Sequence, residues 1–504
     1  MTNINMQRKS GILCPIFSLP SKFGIGSFGL EAYEFIDYLK SAKQSVWQIL
    51  PLVQTGYGNS PYSSVCSYSF NPYFISLDLL LKDGLIDKKD LKTAEYDGKY
   101  IDYGFLFNVR YPILRKAFSR FNKESLAFKK FVKTGEFRDY ALFSAIKIKT
   151  NYLPLVEWEN GLKYRDENTL EQFEKQNKDE VLFWYFLQYL AKKQWNDLKK
   201  YANKQGISIM GDMPLYVALD SVDVWVTPEL FKLDENFIPK KVAGVPPDYF
   251  CEKGQLWGNP VYDYEKHLET DFAWWKNRLK RALNTYDFVR IDHFRGLDRY
   301  YEIDSNAVDA VNGEWVEVPS VELFNAIHSE IDRDRIIAED LGIIDDGVRE
   351  LLEFTAYPGM KILSFAFNGE TGNLYLPERI NENSVCYTGT HDNDTLLGLI
   401  ENANEWDLGN LYRGVNNSLA YYNSKKRATD KFSLIECIVE LGFTCKANWF
   451  IIPMQDAISL GADYRINEPG SVKEQNWAVR LEKKHFKKSV ANTLALLTEK
   501  SFRI

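Results

Sequence analysis

Apolar positions along this chain collect in short uninterrupted runs more often than in strict alternation. Eight runs stand out: ILCPIF (12–17), VWQILPL (46–52), ISIMGDMP (207–214), DFVRID (287–292), RIIAED (335–340), MKILSFAF (360–367), SVCYTGTHD (384–392) and NWFIIPMQD (448–456). A strand buried on both faces carries this signature, because neither side has to meet water. Between several runs the pattern lengthens to that of a helix with one apolar face. LEAYEFIDYLKSA follows the first run, VELFNAIHSEI precedes the fifth and DDGVRELLEFTA follows it. Strand then helix, repeated, produces parallel strands joined by right-handed crossovers. Eight repeats predict an α/β fold, a (β/α)8 TIM barrel built from residues 1–504 as one domain.

Two connections are too long for simple crossovers. Residues 53–206, between the second and third strands, carry long helical patterns and are expected to form an inserted, largely helical subdomain. Residues 215–286, between the third and fourth, form a second insertion holding the turn-rich segment VAGVPPDYFCEKGQLWGNP, expected to act as a lid loop. Both leave the barrel end where strand C-termini gather, and insertions there shape substrate sites.

Composition narrows the possibilities. At 504 residues, 45% of them hydrophobic, the chain can bury a large core, and its net charge of −7 disfavours nucleic acid and anionic membranes as partners. Cys14, Cys66, Cys251, Cys386, Cys437 and Cys445 are scattered, with no CxxC spacing, as in a reduced cytoplasmic chain. Arg8 and Lys9 precede the apolar run GILCPIFSLP, which mimics a signal peptide. The run is short and interrupted by Pro15 and Pro20, so the first strand is the better reading. VLFWYFLQYLA (181–191) is too short to span a bilayer and reads as a buried helix. Most of the 30 Tyr, 32 Phe and 12 Trp residues belong to the core. A minority can offer flat faces to sugar rings.

FGIGSFG places Gly24, Gly26 and Gly29 in the GxGxxG spacing, after a strand and before a helix. That spacing marks dinucleotide binding when the first glycine follows the strand at once and an acid ends the next strand. Here Leu19–Phe23 intervene, and the next strand ends in ILPLVQTG. A glycine loop at the barrel mouth accounts for it better.

Three runs end in acids: Asp292, Glu339 and Asp392. A parallel barrel brings such residues to one rim, and clustered carboxylates on a rigid rim suit glycosidic bond chemistry. Arg290 lies two residues before Asp292, hence on the same side of the strand. Its charge is expected to lower the Asp292 pKa, as a nucleophile requires; a structural ion pair is the plainer alternative. Asp340 beside Glu339 is expected to raise the Glu pKa toward that of a general acid. The competing view makes Asp340 an N-terminal helix acid. In GTHDNDT, Asp394 or Thr395 reads as the cap of the next helix, with His391 and Asp392 just before it on the rim. Asp212 ends the third strand, to contact a sugar hydroxyl or to fix a turn. A metal site from His293, Asp292, His391 and Asp392 is the rival reading, but no HxH, HxxxH or HExxH spacing supports it.

Taken in order, the motifs SGILCPIFSLPSKFGIGSFG, WQILPLVQTGYGNSPYSS, GDMPLYVALDSVDVW, VAGVPPDYF, WGNPVYDY, VRIDHFRG, AEDLG, PGMKIL, YTGTHDND and PMQD resemble those of the 4-α-glucanotransferases called amylomaltases or disproportionating enzymes, the family-77 glycoside hydrolases of the α-amylase clan. The resemblance runs nearly end to end. It implies a barrel without a separate C-terminal β-domain, and transfer of an α-1,4-glucan segment from a maltooligosaccharide to the 4-hydroxyl of another glucan or of glucose. It implies Asp292 as nucleophile, Glu339 as acid/base and Asp392 as transition-state stabiliser. Arg290, His391, Asp212 and Tyr62 would surround the reacting glucose, Gly244–Phe250, with Tyr249 and Phe250, would form a lid, and Trp257 would line the adjoining groove. No cofactor and no metal is implied. Ser27, Tyr264 and the segment RINEPGSVKEQNWAVR depart from the family pattern, the last beside the groove. An α-1,4-glucan hydrolase and a non-catalytic glucan-binding protein stand as the alternatives.

Overall fold

In the computed structural model, which describes residues 7–56, 58–247, 251–342 and 344–503, the apolar runs become the staves of a barrel. Twelve strands form among the described residues: β1 (Lys9–Leu13), β2 (Val46–Gln48), β3 (Ser208–Met213), β4 (Lys241–Val245), β5 (Gln255–Pro260), β6 (Phe288–Ile291), β7 (Arg299–Asp304), β8 (Gly313–Glu317), β9 (Ile336–Ala338), β10 (Gly359–Ile362), β11 (Ser384–Tyr387) and β12 (Trp449–Pro453). Eight make a single parallel sheet in the order β10-β11-β12-β1-β2-β3-β6-β9. Ile12 pairs with Trp47, Asp212 with Arg290 and Cys386 with Phe450. The outer strands of this order meet each other. The Ala338 N–H donates to the Pro358 carbonyl at 3.0 Å, and the Met360 N–H donates to the Asp340 carboxylate. The sheet thereby closes into a (β/α)8 barrel.

The strands are shorter than the runs that foretold them. In SVCYTGTHD the ladder stops at Tyr387, and the chain turns over the barrel mouth before the helix Leu396–Asn402 begins. Thr395 caps that helix, its hydroxyl accepting from the Gly398 N–H. Asp340 is not a helix-start acid, since the following helix begins at Asp346 with Asp345 as its cap. Its carboxylate stitches β9 to β10 instead, holding Met360 and Lys361. The glycine loop is a packing device. A Cβ on Gly26 would lie 1.9 Å from the Ile16 carbonyl oxygen, and the Ser27 N–H and hydroxyl both donate to Glu31.

The connection from β2 to β3 is helical, and its last helix, Lys178–Lys204, buries an apolar face from Val181 to Ala202 before feeding β3. The connection from β3 to β6 is different in kind. It supplies β4 and β5, an antiparallel pair, where an inserted, largely helical subdomain with a lid loop was expected. The connection from β6 to β9, read as a plain helical crossover, carries β7 and β8 ahead of the helix Ser320–His328. These four strands form a second sheet, β5-β4-β7-β8. Val242, Tyr301, Ile303 and Ala310 give it a small core of its own. The outer strands β5 and β8 escaped detection because they lie at the surface, in QLWGNP and GEWVE; β4 and β7 are largely buried but too short and mixed to stand out as apolar runs. The main core is continuous from the barrel interior into the surrounding helices. Among the described residues no helix is long and apolar enough to cross a membrane.

Candidate active site

Arg290 stands at the centre of the barrel mouth. It points inward from β6 and is 3% exposed, so its charge has to be answered by neighbours. One guanidinium nitrogen reaches both oxygens of Asp212, at 2.8 and 2.7 Å, and also lies 2.9 Å from Asp292. The other nitrogen lies 3.9 Å from Glu339, and Nε faces the Met360 sulfur at 3.4 Å. Asp212, Asp292 and Glu339, set at the ends of β3, β6 and β9, are therefore gathered around one cation.

Asp212 serves this arrangement from below. Its side chain is fully buried, and it accepts a further hydrogen bond from the Tyr62 hydroxyl at 2.6 Å. With one oxygen on Arg290 and the other shared between Arg290 and Tyr62, Asp212 positions both side chains. Tyr62 in turn stacks on His391, with centroids 5.2 Å apart and planes 8° from parallel. Trp477 tilts against both rings. The Trp477 backbone is in the left-handed region at φ 62°, a strain that persists where packing over-determines a site.

Asp392 lies beyond the end of β11. Its carboxylate accepts from the Asn467 amide at 2.6 Å and sits 3.3 Å from His391 Nε2. Arg465 holds the Asp392 carbonyl, and the Asn467 N–H donates to the His391 carbonyl. Burial lowers the His391 pKa, so the ring is held neutral. Glu339 accepts from the His293 N–H at 2.6 Å and from the Leu341 N–H at 3.2 Å. His293 needs a left-handed backbone, φ 49°, to present that N–H. Its ring meets Trp257 edge to face at 4.9 Å, which brings the β4–β5 hairpin against the Glu339 side of the mouth. Trp257 is 37% exposed and also packs against Tyr216. Tyr249 and Phe250 lie outside the described residues.

The electrostatics revise one expectation. Burial raises the Asp292 pKa, and Arg290, although in contact, opposes that rise without cancelling it; Asp212 and Asp392 add to it. Glu339 is raised as well, by burial first, against Arg290, with Asp292 and Asp340 contributing. The two acids titrate as a pair. Arg290 bonds Asp292 directly and stands an ångström farther from Glu339, so charge settles on Asp292 and the shared proton on Glu339. A carboxylate beside a carboxylic acid, with a third carboxylate across the mouth, is equipped for attack at an anomeric carbon and for protonation of a leaving oxygen. Among the described residues no group of three or more His, Cys, Asp and Glu side chains is placed to hold a metal.

Sequence reasoning located the three acids, Arg290, His391 and Tyr62, and the structure brings all six together. It placed the loop of Asn467 and Trp477 beside the groove but gave Asn467, Arg465 and Trp477 no individual part; they hold the Asp392 side of the mouth. Their signal was present in RINEPGSVKEQNWAVR, but contact with a loop so distant in the chain is invisible to periodicity.

Fold and site define a class, that of barrel enzymes working on glycosidic bonds. A family model described as 4-alpha-glucanotransferase matches residues 14–485. A 4-alpha-glucanotransferase of Clostridium butyricum is 42% identical over 495 residues, spanning 96% of this chain and 98% of that one. One from Streptococcus pneumoniae serotype 4 is 40% identical over 499 residues, spanning 98% and 97%. The solved structure of an amylomaltase from Streptococcus agalactiae in complex with acarbose superimposes with a TM-score of 0.92, at 37% identity, over 99% of this chain and all of that one. The chain belongs to the 4-α-glucanotransferase family.

Proposed function

We propose that this 4-α-glucanotransferase cleaves an α-1,4 bond of a maltooligosaccharide and passes the fragment to the 4-hydroxyl of another glucan or of glucose. Asp292 attacks the anomeric carbon while Glu339 gives its proton to the departing glycosidic oxygen. A covalent glycosyl ester forms on Asp292 with inverted configuration. Glu339, now a carboxylate, removes the proton from the acceptor hydroxyl as that oxygen attacks, and the second inversion restores the α linkage. Asp392 stabilises the positive charge on the ring in both transition states. Arg290 keeps Asp292 ionised. Tyr62, with His391 behind it, packs against the reacting glucose, and Trp257 lines the acceptor side and helps to exclude water.

The observation that carries this reading is one buried guanidinium shared among Asp212, Asp292 and Glu339, with Asp292 the closer of the two rim acids. The acarbose held by the Streptococcus agalactiae amylomaltase supports a glucan-like ligand. Scattered cysteines without CxxC spacing fit action in the cytoplasm. Incubation with maltotriose tests the proposal. Glucose and a ladder of longer oligomers are expected, and Asp292→Asn abolishes both. Maltose and glucose without a ladder would make the protein a hydrolase, and unaltered turnover in Asp292→Asn would remove the double displacement.

A further inference from the structure

Asp456 follows β12 and takes no part in the chemistry above. It is 2% exposed, yet both carboxylate oxygens are occupied. One accepts from the Thr388 hydroxyl at 2.6 Å and the other from the Leu396 N–H at 2.7 Å. Thr388 is the first residue after β11, and Leu396 is the first residue of the next helix. The whole segment between them is the loop that carries His391 and Asp392. A single carboxylate therefore fastens both ends of that loop to the neighbouring strand.

Inside the loop the bonds are local or come from the far side. Thr390 donates to Asn393, and the Asp392 N–H donates to the Thr390 hydroxyl. Asn467 and Arg465 hold His391 and Asp392 from the segment beyond β12. Asp456 sets where the loop begins and ends, and Asn467 and Arg465 set its middle. Removing the carboxylate leaves a buried N–H and a buried hydroxyl without acceptors, and the loop has to shift to find others.

We propose that Asp456 is a positioning residue, fixing the loop so that Asp392 stands at bonding distance from the developing charge while Asp456 itself never meets substrate. The inference rests on the role given to Asp392 above. Displacement of a reacting group by about an ångström costs on the order of 100-fold in rate. Asp456→Ala is therefore expected to lower kcat for maltotriose by about that factor, with KM within about threefold of the original. Asp456→Asn can still accept from Leu396 and donate to the Thr388 oxygen, so a loss of about tenfold is expected, between the original and the alanine protein.

The decisive measurement is a double-mutant cycle with Asp392→Asn, read as single-turnover fluoride release from α-maltosyl fluoride. If Asp456 acts through Asp392, Asp456→Ala costs less than about threefold in the Asp392→Asn background. A merely structural role multiplies the two losses in full, which would overturn the inference, as would Asp456→Ala turning over maltotriose within threefold of the original. If the alanine protein fails to fold by circular dichroism, Asp456→Asn is judged by the same two criteria. Full turnover in Asp392→Asn itself would instead strike at the role of Asp392.

Discussion

Arg290 decides the division of labour between two acids. One of its nitrogens holds Asp212 and Asp292, a second faces Glu339 and Nε faces the Met360 sulfur, a planar spread that an ammonium cannot reproduce. Arg290→Lys is expected to lower kcat on maltotriose on the order of 100-fold while the protein still melts cooperatively, as steady-state kinetics and a thermal scan will record. The raised Glu339 pKa makes a second prediction. A raised carboxyl stays protonated through the range where an exposed one has lost its proton, and its acid function disappears as pH rises through the raised value. The alkaline limb of kcat/KM for maltotriose therefore lies above the ordinary carboxyl range. Fluoride departs without a proton, so the same limb is expected to vanish with α-maltosyl fluoride. Persistence of the limb with that donor would assign it to another group. The three acids were legible in the sequence because a parallel barrel turns strand ends into neighbours. The direction of the Asp292 shift was not, because it depends on how much burial outweighs one contact, and burial is a property of the packed mouth.

At the level of elements, strands packed on both sides wrote themselves plainly into the sequence, and partly exposed strands did not. WFIIP is an unbroken apolar run and FVRI is broken only by the buried Arg290, as strands of a closed interior are. QLWGNP and GEWVE carry no such mark, and the central pairing of their sheet, β4 with β7, joins two separate connections, so the sheet could not be read from period or adjacency alone. Two expectations belong here. A Cβ on Gly211 in β3 would sit 2.2 Å from the Tyr286 ring. Gly211→Ala is expected to cost about 1–3 kcal/mol through overpacking, read as a lower unfolding midpoint in urea, and to reduce kcat because Asp212 is the next residue. In β5, Trp257 joins its hairpin to His293 and stays partly exposed. Trp257→Ala is expected to raise KM for a glucose acceptor by up to about tenfold while leaving the rate of glycosyl-enzyme formation from α-maltosyl fluoride unchanged.

The whole molecule is tuned against acid by histidines that packing keeps neutral. His267, enclosed by Tyr262, Trp274 and Trp275, is pushed down to about 4 by burial, and His293 and His328 are lowered in the same way. The unfolded chain takes up these protons below about pH 6.5 and the folded chain only near 4, so stability present at neutrality drains away across that window. For His267 the loss is on the order of 3 kcal/mol. His267→Phe is expected to flatten the fall of the melting temperature between pH 6.5 and 4, a comparison differential scanning calorimetry makes directly. The small sheet β5-β4-β7-β8 has a consequence at this scale. It keeps its own apolar centre and meets the reactive acids through the Trp257–His293 contact, which makes it exchangeable as a cassette. Grafting Lys241–Pro260 together with Arg299–Glu317 from a relative is expected to move the product-length distribution toward that relative's. Taking either hairpin alone would split the cassette's centre and is expected to yield insoluble protein, as expression of the three chimaeras will reveal.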